Sequence, residues 1–158
     1  MPVIGGSLGV YLLKTASRDG TVGYPAVAVA YEGRSKLELL LGSSVWDRVR
    51  GRTVLDFGCG CGTEAIEMAE HGASRVIGVD IDLPSLNHAR REAVRRDVSQ
   101  GINFTTHTDE PVDLIVSLDA FEHFADPDAI LQTMAALLRP GGEVLVSFGP
   151  PWLHPLGG

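Results

Sequence analysis

Three glycines and one acid stand together in the stretch VLDFGCGCGTEA, residues 54–65. Asp56 lies near the end of an apolar run, and three glycines follow on alternate positions: Gly58, Gly60 and Gly62. Each glycine costs about 0.5–1 kcal/mol relative to alanine in regular structure, so this spacing needs a reason. A backbone without side chains lets N–H groups and a helix N-terminus approach a ligand closely. The pattern therefore predicts a ligand-binding loop.

A second carboxylate suits the sugar of a nucleoside. Asp80 ends the apolar segment RVIGVD and follows Gly58 by 22 positions (80 − 58). An acid about 20 residues after such a loop accepts hydrogen bonds from ribose hydroxyls in dinucleotide sites. Asp82 lies just before the next predicted helix and is the better candidate for a helix cap.

The loop also distinguishes two classes of nucleotide ligand. Dinucleotide-binding loops have the pattern G-x-G-x-x-G, whereas this loop is G-x-G-x-G, with Thr63 where the third glycine of the other pattern would fall. Asp56 would face a pyrophosphate with a like charge, which is unfavourable. A ligand with a cationic amine or a sulfonium group fits this acid better. If the ligand is nevertheless a dinucleotide, the protein would be a nicotinamide-dependent oxidoreductase, which is the first alternative function.

Strands and helices that position these residues alternate along the chain. Apolar runs predict strands at 53–57, 75–80, 102–104, 112–118 and 143–148, and periodic patterns predict helices at 63–71, 84–98 and 126–138. A further helix is predicted over 35–49, interrupted near Gly42. Such alternation implies right-handed crossovers and a parallel sheet covered on both faces. We therefore predict an α/β fold with a Rossmann-like, doubly wound, mostly parallel sheet.

Composition limits the classes of protein and partner. The chain has 158 residues, of which 44% are hydrophobic and 21% charged, as in an ordinary soluble domain. Its net charge is −7 and its only lysines are Lys14 and Lys36, which argues against nucleic acid or an anionic membrane as the main partner. No segment reads as a membrane span or a signal peptide. The two cysteines, Cys59 and Cys61, lie too close together to form a disulfide readily and lack a second pair for zinc, so we expect a reducing, cytoplasmic compartment.

Four stretches resemble motifs of class I S-adenosylmethionine-dependent methyltransferases. DFGCGCG (56–62) is similar to their glycine motif, and GVDID (78–82) resembles the motif after their second strand. DLIVSLDAFEHFADP (113–127) and LLRPGGEVLVSFGP (138–150) resemble the motifs around strands four and five. The resemblance covers about residues 50–150. It is nearest to the type-11 branch, which includes the ubiquinone- and menaquinone-biosynthesis enzymes.

This resemblance implies a site for S-adenosylmethionine and the transfer of its methyl group to a small-molecule acceptor. By resemblance, the methionine part of the cofactor would be held by the acid and the loop, namely Asp56, Gly58, Cys59, Gly60 and Gly62. Asp80 would bind the ribose with Ile81 beside it, and Leu118 and Asp119 would line the other side of the cofactor. A non-catalytic module that only binds S-adenosylmethionine is the second alternative.

Candidate catalytic groups lie in DAFEHF (119–124), directly after the fourth predicted strand. An oxygen or carbon acid acceptor needs a base, and the candidates are Asp119, Glu122 and His123. A structural role for Glu122 and His123 is an equal alternative. The spacing D-x-x-E-H also resembles the E-x-x-E-H metal site of ubiquinone-biosynthesis O-methyltransferases and small-RNA 2′-O-methyltransferases. We predict no metal, and a divalent-ion site remains the alternative.

The ends of the chain carry weaker patterns. Residues 1–34 are glycine-rich and are predicted to form an arm or lid, followed by the methyltransferase domain over 35–158. The family's sheet has seven strands, whereas the sequence stops soon after the fifth predicted strand. We therefore expect a sheet truncated after strand five, as in a fragment of a longer enzyme. Its open edge would be covered by the N-terminal segment or by a second copy in a homodimer.

Overall fold

A single parallel sheet organises the chain. The computed structural model describes residues 34–121 and 124–147. Its strands are β1 (Thr53–Phe57), β2 (Arg75–Val79), β3 (Ile102–Thr105), β4 (Val112–Leu118) and β5 (Leu138–Ser147). They lie in the order β3-β2-β1-β4-β5, and every neighbouring pair is parallel. This confirms the predicted Rossmann-like α/β fold and places the switch in strand order between β1 and β4.

Helices occupy the segments that the periodic patterns indicated. They are α1 (Lys36–Leu41), α2 (Val45–Val49), α3 (Thr63–Glu70), α4 (Leu83–Arg95) and α5 (Pro127–Leu137), and a 3-10 turn at Ser99–Gly101 leads into β3. The predicted first helix is divided at Gly42, whose φ of +79° suits a residue without a side chain. Asp82 accepts a hydrogen bond from the N–H of Ser85, which confirms its role as the cap of α4.

Both faces of the central strands are buried. Val54 and Leu114 face a core cluster that also contains Met68 and Leu86 from the helices. The next residue along β1, Leu55, pairs in register with Ile77 and Ile115, and these three belong to the cluster on the opposite face. Because β1 is buried along its whole length, the position of its carboxyl end is fixed within the core.

The boundary between α5 and β5 differs from prediction. Strand β5 begins at Leu138 rather than at residue 143, and α5 ends one residue earlier, at Leu137. Residues 140–142 (PGG) lie within β5, beside a register shift against β4. Gly141 has a φ of +81°, which lets the backbone absorb this irregularity.

Two apolar side chains on the helices are exposed rather than packed in the core. Val94 on α4 is 66% exposed and Leu131 on α5 is 46% exposed, so neither belongs to the core. Each lies next to a buried neighbour, Ala93 and Ile130 respectively. One step along a helix rotates a side chain by about 100°, which is enough to carry it off the buried face.

Strand β5 forms the edge of the sheet within the described part of the chain. It pairs with β4, and its residues 142–147 are only half-buried. The predicted arm at 1–34 lies almost entirely outside the described residues, so the arm and the proposed cover of this edge stay predictions. None of the helices in the described ranges is long and apolar enough to cross a bilayer.

Phe104 fills a space that two glycines leave open. A Cβ on Gly78 would lie 2.6 Å from Phe104 Cδ1, and a Cβ on Gly62 would lie 2.7 Å from Phe104 Cζ. Both distances are below van der Waals contact, so the ring and the two glycines fit only together. This contact joins β2 and β3 to the start of α3, and hence to the glycine loop.

We predict that Gly78→Ala lowers the free energy of unfolding by about 1–3 kcal/mol, because the added methyl overpacks the Phe104 ring. Urea denaturation measures the change. Gly101→Ala is the matched control, since a Cβ there meets nothing within 4 Å. Its effect should stay within about 0.5 kcal/mol. Equal effects of the two substitutions would show that the close approach to Phe104 is unimportant.

Candidate cofactor-binding site

The glycine loop is tied to the end of the neighbouring strand. The N–H groups of Gly58 and Cys59 both donate to the carbonyl of Val79, at 2.8 and 3.0 Å. Farther along the loop, the N–H of Gly62 donates to the carbonyl of Cys59 at 2.8 Å. The loop therefore lies at the carboxyl ends of β1 and β2, beside the switch in strand order, where open α/β sheets bind ligands.

The three loop glycines serve different purposes. All have positive φ: +84° at Gly58, +48° at Gly60 and +79° at Gly62. A Cβ on Gly58 would lie 2.9 Å from Ala120 Cβ, and Gly62 packs against Phe104, so the fold itself needs these two. A Cβ on Gly60 would meet nothing within 4 Å. The open side of the backbone at Gly60 is thus the part of the loop where a ligand has room.

Asp80 is held in place by two backbone groups. Its Oδ2 accepts a hydrogen bond from the N–H of Gly60, and its Oδ1 accepts one from the N–H of Asp82, both at 2.8 Å. Each carboxylate oxygen can accept more than one hydrogen bond, so both retain capacity for a ligand. The half-buried carboxylate is therefore preorganised next to the open backbone of Gly60. Two vicinal hydroxyls of a ribose suit such a paired acceptor.

Asp56 is a buried acid with an unsatisfied oxygen. The residue is 3% exposed, and its Oδ2 has no hydrogen-bond partner among the described residues. Burial raises the pKa of the Asp56 carboxyl well above its usual range, the charge of Glu64 raises it further, and the charge of Lys36 opposes the shift. An unpaired buried acceptor costs about 1–3 kcal/mol, so a donor from a ligand would relieve a real penalty.

A lysine that the motifs did not single out lies at the same site. Lys36 begins α1, and its Nζ lies 2.9 Å from Asp119 Oδ2 and 3.8 Å from Glu64 Oε1. The described part of the chain thus brings one cation among the carboxylates at the ends of β1 and β4. Lys36 was noted in the sequence only as one of two lysines, and no motif places it here.

Asp119 has an unusual backbone conformation that its partners stabilise. Its φ is +50°, in the left-handed region, which aspartate tolerates better than most residues. Its N–H donates to the carbonyl of Ser147, and Ser147 Oγ donates to its Oδ1, both at 3.3 Å. The ion pair with Lys36 holds the other carboxylate oxygen. Asp119 is therefore fixed between α1 and β5.

The remaining predicted residues lie around these groups or beyond the described ranges. Leu118 is buried at the end of β4, and Ile81 is half-buried directly after Asp80. Burial raises the pKa of the Cys59 thiol, which keeps it neutral and favours a packing role for this residue. Glu122 and His123 lie outside the described residues, so their predicted catalytic role stays a prediction.

Taken together, these groups suit a nucleoside joined to a cationic amino acid. The carboxylate of Asp80 fits ribose hydroxyls, the backbone of Gly60 gives close approach, and Asp56 offers an unpaired oxygen to a positively charged donor. A buried acid at this place is unsuited to a pyrophosphate. The donor set therefore fits S-adenosylmethionine better than a dinucleotide.

Comparison with known proteins identifies the same class. A family profile described as "Methyltransferase domain" matches residues 29–149. A solved structure of an S-adenosylmethionine-dependent methyltransferase from Mesorhizobium loti is 29% identical in sequence. It superposes with a TM-score of 0.60 over 66% of this chain and 50% of that one.

Curated relatives with different acceptors match the chain. The ribosomal protein L11 methyltransferase of Vibrio cholerae is 34% identical over 129 residues, covering 81% of this chain and 40% of the relative. The ubiquinone biosynthesis O-methyltransferase of Aeromonas salmonicida is 35% identical over 103 residues, with coverages of 61% and 43%. The tRNA 5-carboxymethoxyuridine methyltransferase of Escherichia coli is 38% identical over 103 residues, with coverages of 60% and 39%. The chain thus spans about two fifths of the length of these relatives.

The raised pKa of Asp56 predicts the direction in which stability changes with pH. Because the folded state keeps this proton to higher pH than the unfolded state does, stability falls as pH rises above the ordinary carboxyl range. Asp56→Asn removes the titration. Relative to wild type, we expect the variant to gain free energy of unfolding with rising pH, by up to about 1.4 kcal/mol per pH unit.

Urea denaturation at several pH values between about 5 and 8 measures this difference. Asp113→Asn is the control, because the N–H of Thr53 and then Arg139 lower the pKa of Asp113. Asp113 therefore stays charged in both states across this range, and its substitution should change stability by an amount independent of pH. A pH-independent difference for Asp56→Asn as well would show that its carboxyl is already charged in the fold.

Proposed function

Because this chain belongs to the methyltransferase-domain family of class I S-adenosylmethionine-dependent methyltransferases, we propose that it binds S-adenosylmethionine and transfers a methyl group to a small-molecule acceptor. The observation that carries the proposal is the Asp80 carboxylate, which two N–H groups hold beside the open backbone of Gly60. This arrangement presents fixed acceptors to a ribose at the place where the fold binds ligands.

Each residue of the site has a proposed part in binding. Asp80 accepts hydrogen bonds from the ribose hydroxyls. The half-buried side chain of Ile81, next to Asp80, contacts the nucleoside. Gly60 lets the loop backbone approach the ligand, and Asp56 Oδ2 receives a cationic donor from the methionine part. Leu118, buried at the end of β4, closes the other side of the crevice.

Positioning is the main contribution of these residues to the reaction. When bound, S-adenosylmethionine supplies an activated methyl group on a positively charged sulfur. The chain must hold this group in line with the acceptor, and such alignment can supply a large part of the rate acceleration. The short, fixed contacts of Asp80 and the loop serve that purpose. The buried surroundings of Asp56 limit the access of water.

Surface charge favours a small molecule over nucleic acid as the acceptor. Most arginines in the described ranges are already engaged in ion pairs: Arg48, Arg50, Arg52, Arg75, Arg95, Arg96 and Arg139. Paired arginines on a chain with a net charge of −7 leave little attraction for a phosphate backbone. The relative from Aeromonas salmonicida, named for ubiquinone biosynthesis, supports a type-11-like acceptor, whereas the relatives named for ribosomal protein L11 and tRNA represent the competing classes.

A base for the acceptor is proposed from residues 119–123. Asp119 forms an ion pair with Lys36 and accepts a hydrogen bond from Ser147, so its carboxylate already serves to join α1 and β5. His123 and Glu122 are therefore the better candidates to take a proton from an acceptor hydroxyl. The described ranges contain no group of three or more potential metal ligands. Glu122 and His123 lie outside those ranges, so a divalent-ion site at these two residues stays an alternative.

Two measurements test the proposed function. Thermal unfolding should be shifted upward by S-adenosylhomocysteine and unaffected by NAD, because a ligand that binds only the folded state stabilises it. Release of S-adenosylhomocysteine from S-adenosylmethionine should then depend on an added acceptor. Catechol, total tRNA and ribosomal protein represent the three acceptor classes, and we expect turnover with catechol. A shift with NAD alone would favour an oxidoreductase, and binding without turnover would favour a non-catalytic module.

Substitution of Asp80 should weaken cofactor binding. Asp80→Asn keeps the size of the side chain but replaces one acceptor by an amide N–H₂ and removes the charge. We expect the binding free energy of S-adenosylhomocysteine to fall by about 1.5–3 kcal/mol, as measured by isothermal titration calorimetry. Asp47→Asn is the control, since this side chain on α2 is 81% exposed. If both variants bind like the wild type, Asp80 does not hold the ribose.

A further inference from the structure

The outer side of β3 is closed by a side chain rather than by another strand. Within the described sheet, β3 lies at one edge and pairs only with β2. On the side of β2, the carbonyl of Thr105 accepts a hydrogen bond from the N–H of Asp80 at 3.2 Å. The carbonyl one residue earlier, that of Phe104, accepts a hydrogen bond from the Nη2 of Arg90 on α4 instead. Arg90 thus supplies the donor that a neighbouring strand would supply.

The guanidinium of Arg90 is suited to hold this peptide group. It donates through Nη1 to Asn87 Oδ1 at 2.8 Å and through Nη2 to the carbonyl of Phe104. Phe104 is only 4% exposed, so its carbonyl would lose a partner in surroundings that water reaches poorly if Arg90 were replaced. A guanidinium directs its donors in a planar fork, whereas the ammonium of a lysine is a point charge on a flexible stem.

The peptide group that Arg90 holds lies between two residues that support the candidate site. The residue before it, Phe104, packs its ring against Gly62 of the glycine loop. The residue after it, Thr105, holds the backbone N–H of Asp80. A shift of this one peptide group would therefore displace both the loop and the carboxylate beside it.

We propose that Arg90 is a positioning residue for the cofactor site. By holding the carboxyl end of β3, it keeps Asp80 and the glycine loop in the geometry that binds the ribose. This inference rests on the proposed function, because the ribose is bound by Asp80 there. Arg90 acts through β3 rather than by contact with the ligand. A merely structural arginine would stabilise the fold but leave the affinity of the folded protein unchanged.

Calorimetric titration of the folded variant tests this role. Arg90→Met removes both donors and keeps most of the apolar stem, and we expect it to weaken the binding of S-adenosylhomocysteine by about fivefold or more. The affinity for 5′-methylthioadenosine, which lacks the amino acid, should fall by the same factor, because the effect acts on the ribose end. Arg91→Met is the matched control. Arg91 is exposed and forms no hydrogen bond or ion pair with any described residue, so its replacement should change affinity by less than about twofold.

Two further measurements separate positioning from general stability. In an Asp80→Asn background, Arg90→Met should weaken binding by less than about twofold, because the residue through which it acts has already been changed. Without any ligand, the N–H of Asp80 should exchange with solvent faster in Arg90→Met than in the wild type. The N–H of Ala129, which Asp126 caps at the start of α5, should exchange as in the wild type.

The results that would overturn the proposal are specific. One is a folded Arg90→Met that binds both ligands like the wild type, and another is an equal loss of affinity in the wild-type and Asp80→Asn backgrounds. Should Arg90→Met not fold, Arg90→Lys keeps the charge but not the fork. It should bind S-adenosylhomocysteine more weakly than Arg91→Lys does, and equal affinities would contradict the proposal.

Failure of the proposed function would look different. A wild type that binds neither ligand would overturn that function and the positioning role with it, whatever the exchange at Asp80. A wild type that binds both ligands, with an affinity that Arg90→Met leaves unchanged, would overturn only the role of Arg90.

Discussion

The crevice depends on a single carboxylate that joins two loops. Asp80 accepts one hydrogen bond from the N–H of Gly60, in the loop after β1, and one from the N–H of Asp82, in the loop after β2. The in-register pairing of Phe57 with Val79 brings both loops to the same level of the sheet. Rotation of this carboxylate would break both of these hydrogen bonds at once. The same group is then available, without rearrangement, to a ligand, which reduces the entropy lost on binding.

The distribution of charge suggests that stability has been exchanged for binding. A buried carboxylate with an unpaired oxygen, as at Asp56, destabilises the folded chain, and no packing role requires an acid there. Lys36 offsets part of this cost from outside the sheet. Proteins tolerate such local conflicts mainly at functional sites, where the missing partner comes with the ligand.

Local sequence patterns were sufficient to predict the helices and strands and the position of the glycine loop. The buried run at 53–57, the cap at Asp82 and the proline at the start of α5 are signals that neighbouring residues determine. Because parallel strands align their carboxyl ends, these signals also placed Asp80 beside the loop. The sequence thus predicted the sheet and the meeting of Asp80 with the glycine loop, whereas the binding roles of these residues stay proposals.

Features that depend on distant neighbours were not predictable. Lys36 reaches Asp119 only through the tertiary placement of α1, whose Leu37 is buried in the core, and nothing in its own segment indicates that contact. The sequence alone does not distinguish the three loop glycines. Only the contacts with Ala120 and Phe104 show that the fold requires Gly58 and Gly62. Pro140–Gly142 carry local turn signals, yet pairing with β4 draws them into a strand. Tertiary contacts override local preference in each case.

The ring of Phe104 also bears on how this sequence can change over time. Gly62 and Gly78 belong to different elements, yet the same aromatic ring denies each of them a side chain. A smaller residue at 104 would leave a void, and a larger one at either glycine would collide, so single changes at these three positions are unfavourable. Gly62 cannot take part in a compensating exchange, because its φ is +79° and a Cβ there would also lie 2.7 Å from Ala89 Cβ. Gly78 and Phe104 can change as a pair, and homologues should therefore exchange these two residues together, as one inherited unit.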